Sequence, residues 1–286
     1  MEAQLLQGKP VAEKLKTEIK AEFETLIRKI GMIPTIRAIQ VGEEPASELY
    51  LKSQKKVAEL LGVNHETTIL APSAAEKDLI GEIERANRDP KVHGIIVQMP
   101  LPKTFAVDRI LDTIHSDKDV EAITMRNLGR LGVNKAGLAP CTARAVVRLI
   151  EETGVDVFGK EAVVIGSSKT VGLPAFLLLV GKKMTSMICH TGTFKAGTLE
   201  AHVRRADVLV VSAGKPAIIP GSWVKEGSIV IDVGINRVDG KTVGDVEFEP
   251  AKLRARFITP VPGGVGPVTT VMLYENLVTI LKNRGN

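Results

Sequence analysis

Aromatic residues are scarce. The 286-residue chain holds one Trp, two Tyr and seven Phe, too few for a platform on which single-stranded nucleic acid stacks. Cysteine is scarcer. Cys141 and Cys189 are the whole supply and form no CxxC pair. That excludes a zinc knuckle or a disulfide framework and suits a reducing compartment. No apolar run approaches the roughly 18 residues of a membrane span. The opening segment, MEAQLLQGKPVAEKLK, lacks the apolar core of a secretion signal. Charge of one sign does not accumulate either. Lys and Arg number 38 against 33 Asp and Glu, interspersed, for a net charge of +5. A nucleic-acid stripe is thereby excluded, while a small anionic ligand is favoured. A cytoplasmic α/β protein of about two medium domains is the expectation.

Two kinds of segment alternate along the chain. Short apolar, β-branched runs lie at Thr35–Val41, Glu66–Leu70, Val92–Gln98, Ala162–Ile165, Thr185–Cys189, Val208–Val211 and Ser228–Val233. Between them run longer segments of helical period, such as Val11, Leu15, Ile19, Phe23, Ile27 and Ile30 after Pro10. Continuous apolar strands between helices predict parallel sheets covered on both faces. Ser73 and Glu76 have the spacing of a capping box ahead of Leu79, Ile80 and Ile83. The Gly- and Asn-bearing stretch Arg126–Pro140 reads as a boundary, followed by a helix from about Thr142 to Glu152. A second α/β unit runs from Glu161 to about Ile258. Pro260–Pro267 interrupts regular structure, and a last helix, Thr269–Lys282, is expected to return to the first domain.

Five strings carry candidate chemistry. In Val163–Gly172 an apolar strand ends in a Gly-bearing turn and leads into a helix, which presents N–H groups to a phosphate. The next strand ends at Cys189-His190-Thr191, with neither a carboxylate for a ribose hydroxyl nor an Arg for a ribose phosphate. In Pro45–Lys56, Tyr50 and Gln54 share a helix face with Ser53 beside them. Gln98 ends an apolar strand, where α/β proteins bind ligands, and Met99-Pro-Leu-Pro102 follows. Lys118–Ala122 carries three charges in five residues and reads as an ordinary solvated loop. Thr259–Thr269 packs three glycines and three prolines into an irregular backbone that permits close approach of a ligand.

Together these strings resemble the bifunctional methylenetetrahydrofolate dehydrogenase/methenyltetrahydrofolate cyclohydrolase family. Val41-Gly-Glu-Glu-Pro-Ala-Ser47 is similar to its VGxxPAS turn, and Gln98-Met-Pro-Leu-Pro102 to its QLPLP. Ser228–Arg237 and Gly244-Asp-Val246 match its late strands. Pro260–Pro267 reproduces its PVPGGVGP. The resemblance implies two α/β domains around a cleft, the second a Rossmann-like parallel sheet, and a homodimer. Residues 1–141 and 269–286 would form the folate-binding catalytic domain, and 142–268 the NAD(P)-binding one. It implies a folate pocket lined by Tyr50, Ser53, Gln54, Gln98, Pro100, Glu121, Pro262, Gly263 and Gly264. It implies a cofactor site of Gly166, Ser167, Ser168, Val171, Thr191 and Ile235, with NADP first and NAD as the alternative, and no metal.

Departures from the pattern fall at its functional strings. The family's Y-x-x-x-K, whose Lys transfers the proton, keeps Tyr50 but has Gln54. Its DVDGF loop, whose second Asp holds the pterin, reads Asp119-Val-Glu-Ala-Ile123. Its GRS turn, whose Arg meets the cofactor phosphate, reads Gly166-Ser-Ser168, and its CTP reads Cys141-Thr-Ala143. A Gln amide neither gains nor loses a proton near neutrality, so hydrolysis should suffer more than hydride transfer. Tyr50, Gln98 and Glu121 are expected to position the pterin without replacing the proton carrier. Ala122 is strained if the family's Gly has positive φ. Loss of the Arg predicts reduced discrimination between NADP and NAD, with Lys169 and Lys195 the nearest cations in sequence. Two other readings share this scaffold: a non-catalytic folate- or partner-binding protein, and an enzyme of another pterin one-carbon carrier. Turnover separates the first from an enzyme, and dependence on the pterin tail separates the second.

Overall fold

The computed structural model describes residues 2–42, 45–135 and 137–284. Glu43 and Glu44 of the VGxxPAS-like turn lie outside them. The chain begins with β1 (Gln4–Leu5), α1 (Gly8–Ile30), β2 (Thr35–Val41), α2 (Pro45–Leu61), β3 (Asn64–Leu70), α3 (Glu76–Arg88), β4 (Gly94–Val97), α4 (Val107–Asp112) and α5 (Met125–Gly132). It continues with α6 (Cys141–Glu151), β5 (Glu161–Ile165), α7 (Gly172–Gly181), β6 (Thr185–Cys189), α8 (Thr191–Lys195), α9 (Leu199–Val203), β7 (Val208–Val211) and β8 (Ile229–Asp232). Last come a hairpin of β9 (Asn236–Val238) and β10 (Lys241–Val243), α10 (Phe248–Lys252), β11 (Phe257–Ile258) and α11 (Val265–Arg284).

Two compact units emerge. One joins Lys14–Ala139 to Thr270–Asn286. Its sheet is parallel, in the order β3-β2-β4. Ile39, Ile95 and Val97 bury one face against Leu79 and Ile83 of α3 and Ile110 of α4, each such side chain contributing about 1.5–3 kcal/mol on full burial. The helix start at α3 differs from expectation. Ala75 is the capping residue, and its N–H donates to Asp78 Oδ2 at 2.9 Å. Glu76 instead accepts from the Ala106 N–H.

The other unit joins Met1–Glu13 to Pro140–Thr269. Its six strands run β1-β11-β8-β7-β5-β6, every pairing parallel. The first residues therefore group with the second half of the chain rather than with residues up to 141. The reason is that Gln4 and Leu5 pair with Phe257 and Ile258, an edge strand too short to show a period. In the order β7-β5-β6 the chain starts at β5, steps to β6, then returns to the other side for β7. That reversal opens a crevice beyond the carboxyl end of β5, the place where parallel α/β sheets bind ligands.

Candidate functional site

In the first unit, α2 and the end of β4 bring two amides together. Gln98 Nε2 donates to Gln54 Oε1 at 3.1 Å, and both side chains are buried. Tyr50, one turn earlier on α2, is exposed, as is Ser53. Tyr274 of α11 is fully buried and donates its hydroxyl to the Gln54 carbonyl at 2.6 Å. Burial pushes its phenol further above neutrality. Neither Tyr274 nor Asn276 stands out in the sequence. The signal was a Tyr in an otherwise apolar helix, whose hydroxyl needs a partner once buried. Asn276 Nδ2 donates to the Val120 and Ala139 carbonyls at 2.8 and 3.0 Å. One helix thus ties down both Gln54 and the 118–122 loop.

That loop is not solvated. Lys118, Asp119, Val120 and Ala122 are all buried, and Asp119 bridges to Ile95 of β4. Lys118 Nζ donates to the Ala86 and Asp89 carbonyls, and desolvation, then the charge of Arg284, lowers its ammonium to about 8. Asp119 accepts from the Ile123 and Thr124 N–H groups and from Asn127 Nδ2. Ala122 has φ +55°, so the methyl group stands in left-handed backbone. Glu121 is enclosed by protein with part of its side chain still open. Burial, then the charge of Asp119, pushes its carboxyl up to about 8.

In the second unit, Gly166 opens the turn after β5 with φ +106°. A Cβ there would stand 2.3 Å from the Ser212 carbonyl oxygen, so only glycine fits. Ser168 Oγ accepts from the Val171 and Gly172 N–H groups at 3.2 and 3.4 Å. Ser167, Ser168, Lys169 and Thr170 are exposed beyond β5, and so is Thr191 beyond β6. Ile235, 68% exposed, is an apolar side chain in solvent beyond β8. Strand, glycine turn and helix N-terminus fit a dinucleotide phosphate. Pro262, Gly263 and Gly264 also belong to this unit, apart from the other expected folate residues. Among the described residues no cluster of three or more His, Cys, Asp or Glu could hold a metal ion.

Two carboxylates that sequence reading passed over organise the loops beside this turn. Asp245, fully buried, accepts from Ala213 N at 2.6 Å and Gly214 N at 2.9 Å on one oxygen. Its other oxygen accepts from Lys215 N and Asn236 Nδ2, at 2.9 and 2.8 Å. Asp232, at the end of β8, accepts from the Gly234, Asp245 and Val246 N–H groups. Burial outweighs these three donors and pushes its carboxyl up to about 6. An Asp inside each apolar string, IVIDVG and VGDVE, was the available signal.

Comparison with known proteins agrees with both halves. Residues 6–121 match the tetrahydrofolate dehydrogenase/cyclohydrolase catalytic domain, and residues 140–285 match the NAD(P)-binding domain of the same enzymes. The chain belongs to the tetrahydrofolate dehydrogenase/cyclohydrolase family. It is 44% identical over 282 residues to bifunctional protein FolD 2 of Geobacter metallireducens, covering 98% of each. Among solved structures, the bifunctional FolD of Campylobacter jejuni superposes with a TM-score of 0.93 at 40% identity, covering 99% of both chains. The Trypanosoma brucei enzyme, solved with NADP and an inhibitor, gives 0.93 at 34% identity, with 100% of this chain and 99% of that one covered.

Proposed function

We propose that this protein oxidises 5,10-methylenetetrahydrofolate to 5,10-methenyltetrahydrofolate with NADP, and that its hydrolysis of the methenyl product is weak. The observation that carries the second part is the Gln98–Gln54 amide pair. The nicotinamide, when bound, accepts the hydride from the methylene carbon. Hydride departure leaves a cation and requires no proton transfer, so placement does most of the work. Gln54, Gln98 and Tyr50 hold the pterin, with Ser53 and Pro100 beside them. Glu121 takes the amino-imine edge, its carboxyl about 1.5 Å further from the backbone than an Asp would be. Gly166, Ser167, Ser168 and Val171 receive the cofactor phosphate, with Thr191 and Ile235 along the same sheet end.

Hydrolysis is a different task. Water adds to the methenyl carbon, a proton leaves that water, and a proton must reach the departing ring nitrogen. General acid–base catalysis of such steps contributes about 10²–10⁴-fold, and no amide supplies it. An absorbance assay with methylenetetrahydrofolate and each nicotinamide cofactor tests the reading. Methenyl product should appear and accumulate. If the native protein hydrolyses the methenyl compound faster than it forms it, the reading of Gln54 is wrong. If no methenyl forms with either cofactor, the oxidation itself is wrong.

A further inference from the structure

The cofactor site as read above lacks a cation where the family has its Arg, because Ser167 stands there. The structure supplies one from elsewhere. Lys215 lies in the loop after β7 and is exposed. Its ammonium sits over the Phe194 ring, 5.9 Å from the centroid. Phe194 belongs to α8, directly after β6, and is 49% exposed. Since β5 lies between β7 and β6 in the sheet, the Lys215–Phe194 contact joins the segments that follow the two strands flanking β5. Its head lies over α8, the helix that follows β6, on the side of the sheet where parallel α/β folds read the ribose substituent of a dinucleotide.

The rest of the loop is fixed so that this reach is repeatable. Asp245 accepts from three successive N–H groups, those of Ala213, Gly214 and Lys215 itself. Ser212 Oγ donates to the Ile165 carbonyl at the end of β5. A Cβ on Gly234 would stand 2.2 Å from the Asp245 carboxyl carbon, so the chain is pared back to admit the clamp. The Lys215 side chain itself is exposed. Among the described residues its ammonium forms no ion pair, and an exposed cation–π contact is weak enough to be exchanged for an anion. The alternatives are poorer. Lys169 already has a partner, and among the described residues no hydrogen bond or ion pair fixes the side chain of Lys195 at the end of α8.

We propose that Lys215 replaces the missing Arg as the cation that recognises the ribose phosphate of NADP, with Asp245 as the residue that positions it. This rests on the cofactor reading above. A charge-assisted contact to a phosphomonoester should favour NADP over NAD, so the strong loss of discrimination expected from Ser167 alone does not follow.

Calorimetric titration of the full chain with NADP and with NAD, without folate, tests this independently of turnover. Lys215→Ala should weaken NADP at least fivefold more than it weakens NAD, and should make NADP binding less sensitive to salt. Lys195→Ala should not. Adding Ser167→Arg to Lys215→Ala should restore the NADP preference. A smaller differential in Lys215→Ala, or the same loss in Lys195→Ala, overturns the assignment of Lys215 alone. Native protein that binds neither nicotinamide cofactor removes both this proposal and the dehydrogenase reading.

Discussion

On the proposed reading, position 54 separates oxidation from hydrolysis. A lysine there could carry a proton, whereas the Gln54 side-chain amide cannot and accepts a hydrogen bond from Gln98. Gln54→Lys should raise methenyl hydrolysis more than tenfold while changing hydride transfer far less, read as two absorbance rates in one assay. Unchanged hydrolysis would shift the cause to Glu121 and Ala122. Glu121 makes its own prediction. Its folded carboxyl titrates near 8, above the ordinary value of 4.5. Over that window the folded protein keeps a proton that the unfolded chain has released, so stability falls as pH rises. Thermal melts should find Glu121→Gln matching the native protein below about pH 4 and exceeding it at pH 8.5. Asp232 tilts the curve in the same direction up to about 6, but equally in both proteins. Gln54 and Glu121 were visible as departures from a pattern. The titration of Glu121 was not visible, because it depends on burial beside Asp119.

The elements themselves were largely legible. Parallel strands buried on both faces leave continuous apolar runs, and β2, β6 and β7 match those runs end to end. Helix starts were harder, since Ser73 has the right residue type but Ala75 has the right backbone. The 118–122 loop misled for a physical reason. Its charges resemble a surface, yet Lys118 and Asp119 spend their hydrogen bonds on interior amides and carbonyls. The end of α7 offers a prediction at this scale. Lys183 N donates to the Val180 carbonyl and Met184 N to the Leu179 carbonyl, while Lys183 itself has φ +64°. Helices place glycine at such a position. Lys183→Gly should therefore stabilise the protein by about 0.5–1 kcal/mol, seen as a higher midpoint in denaturant. A lower midpoint would mean that the Lys183 side chain contributes more than its backbone costs.

At the scale of the whole molecule, each unit is assembled from both ends of the chain. α11 spans the division, with Val265–Thr269 in one unit and Thr270–Arg284 in the other. A chain stopped after Thr269 should keep its six-stranded sheet but lose Tyr274 and Asn276 from the other unit. That leaves a buried Leu277 and Ile280 face unfilled, and several such losses of about 2–5 kcal/mol each exceed ordinary domain stability. Limited proteolysis should find residues 14–139 of that truncated chain cleaved while 140–269 resist. Equal resistance of both would show that the catalytic half folds without its last helix.

The same arrangement sets a schedule for synthesis. Gln54 leaves the ribosome 220 residues before Tyr274, whose hydroxyl it awaits. At about 5–20 residues per second the delay is roughly ten to forty seconds. For most of that interval the partners of buried Leu273, Leu277 and Ile280 wait uncovered, and β11 does not yet exist for β1 to join. The buried face of Lys14–Ala139 is therefore completed only once α11 has been made.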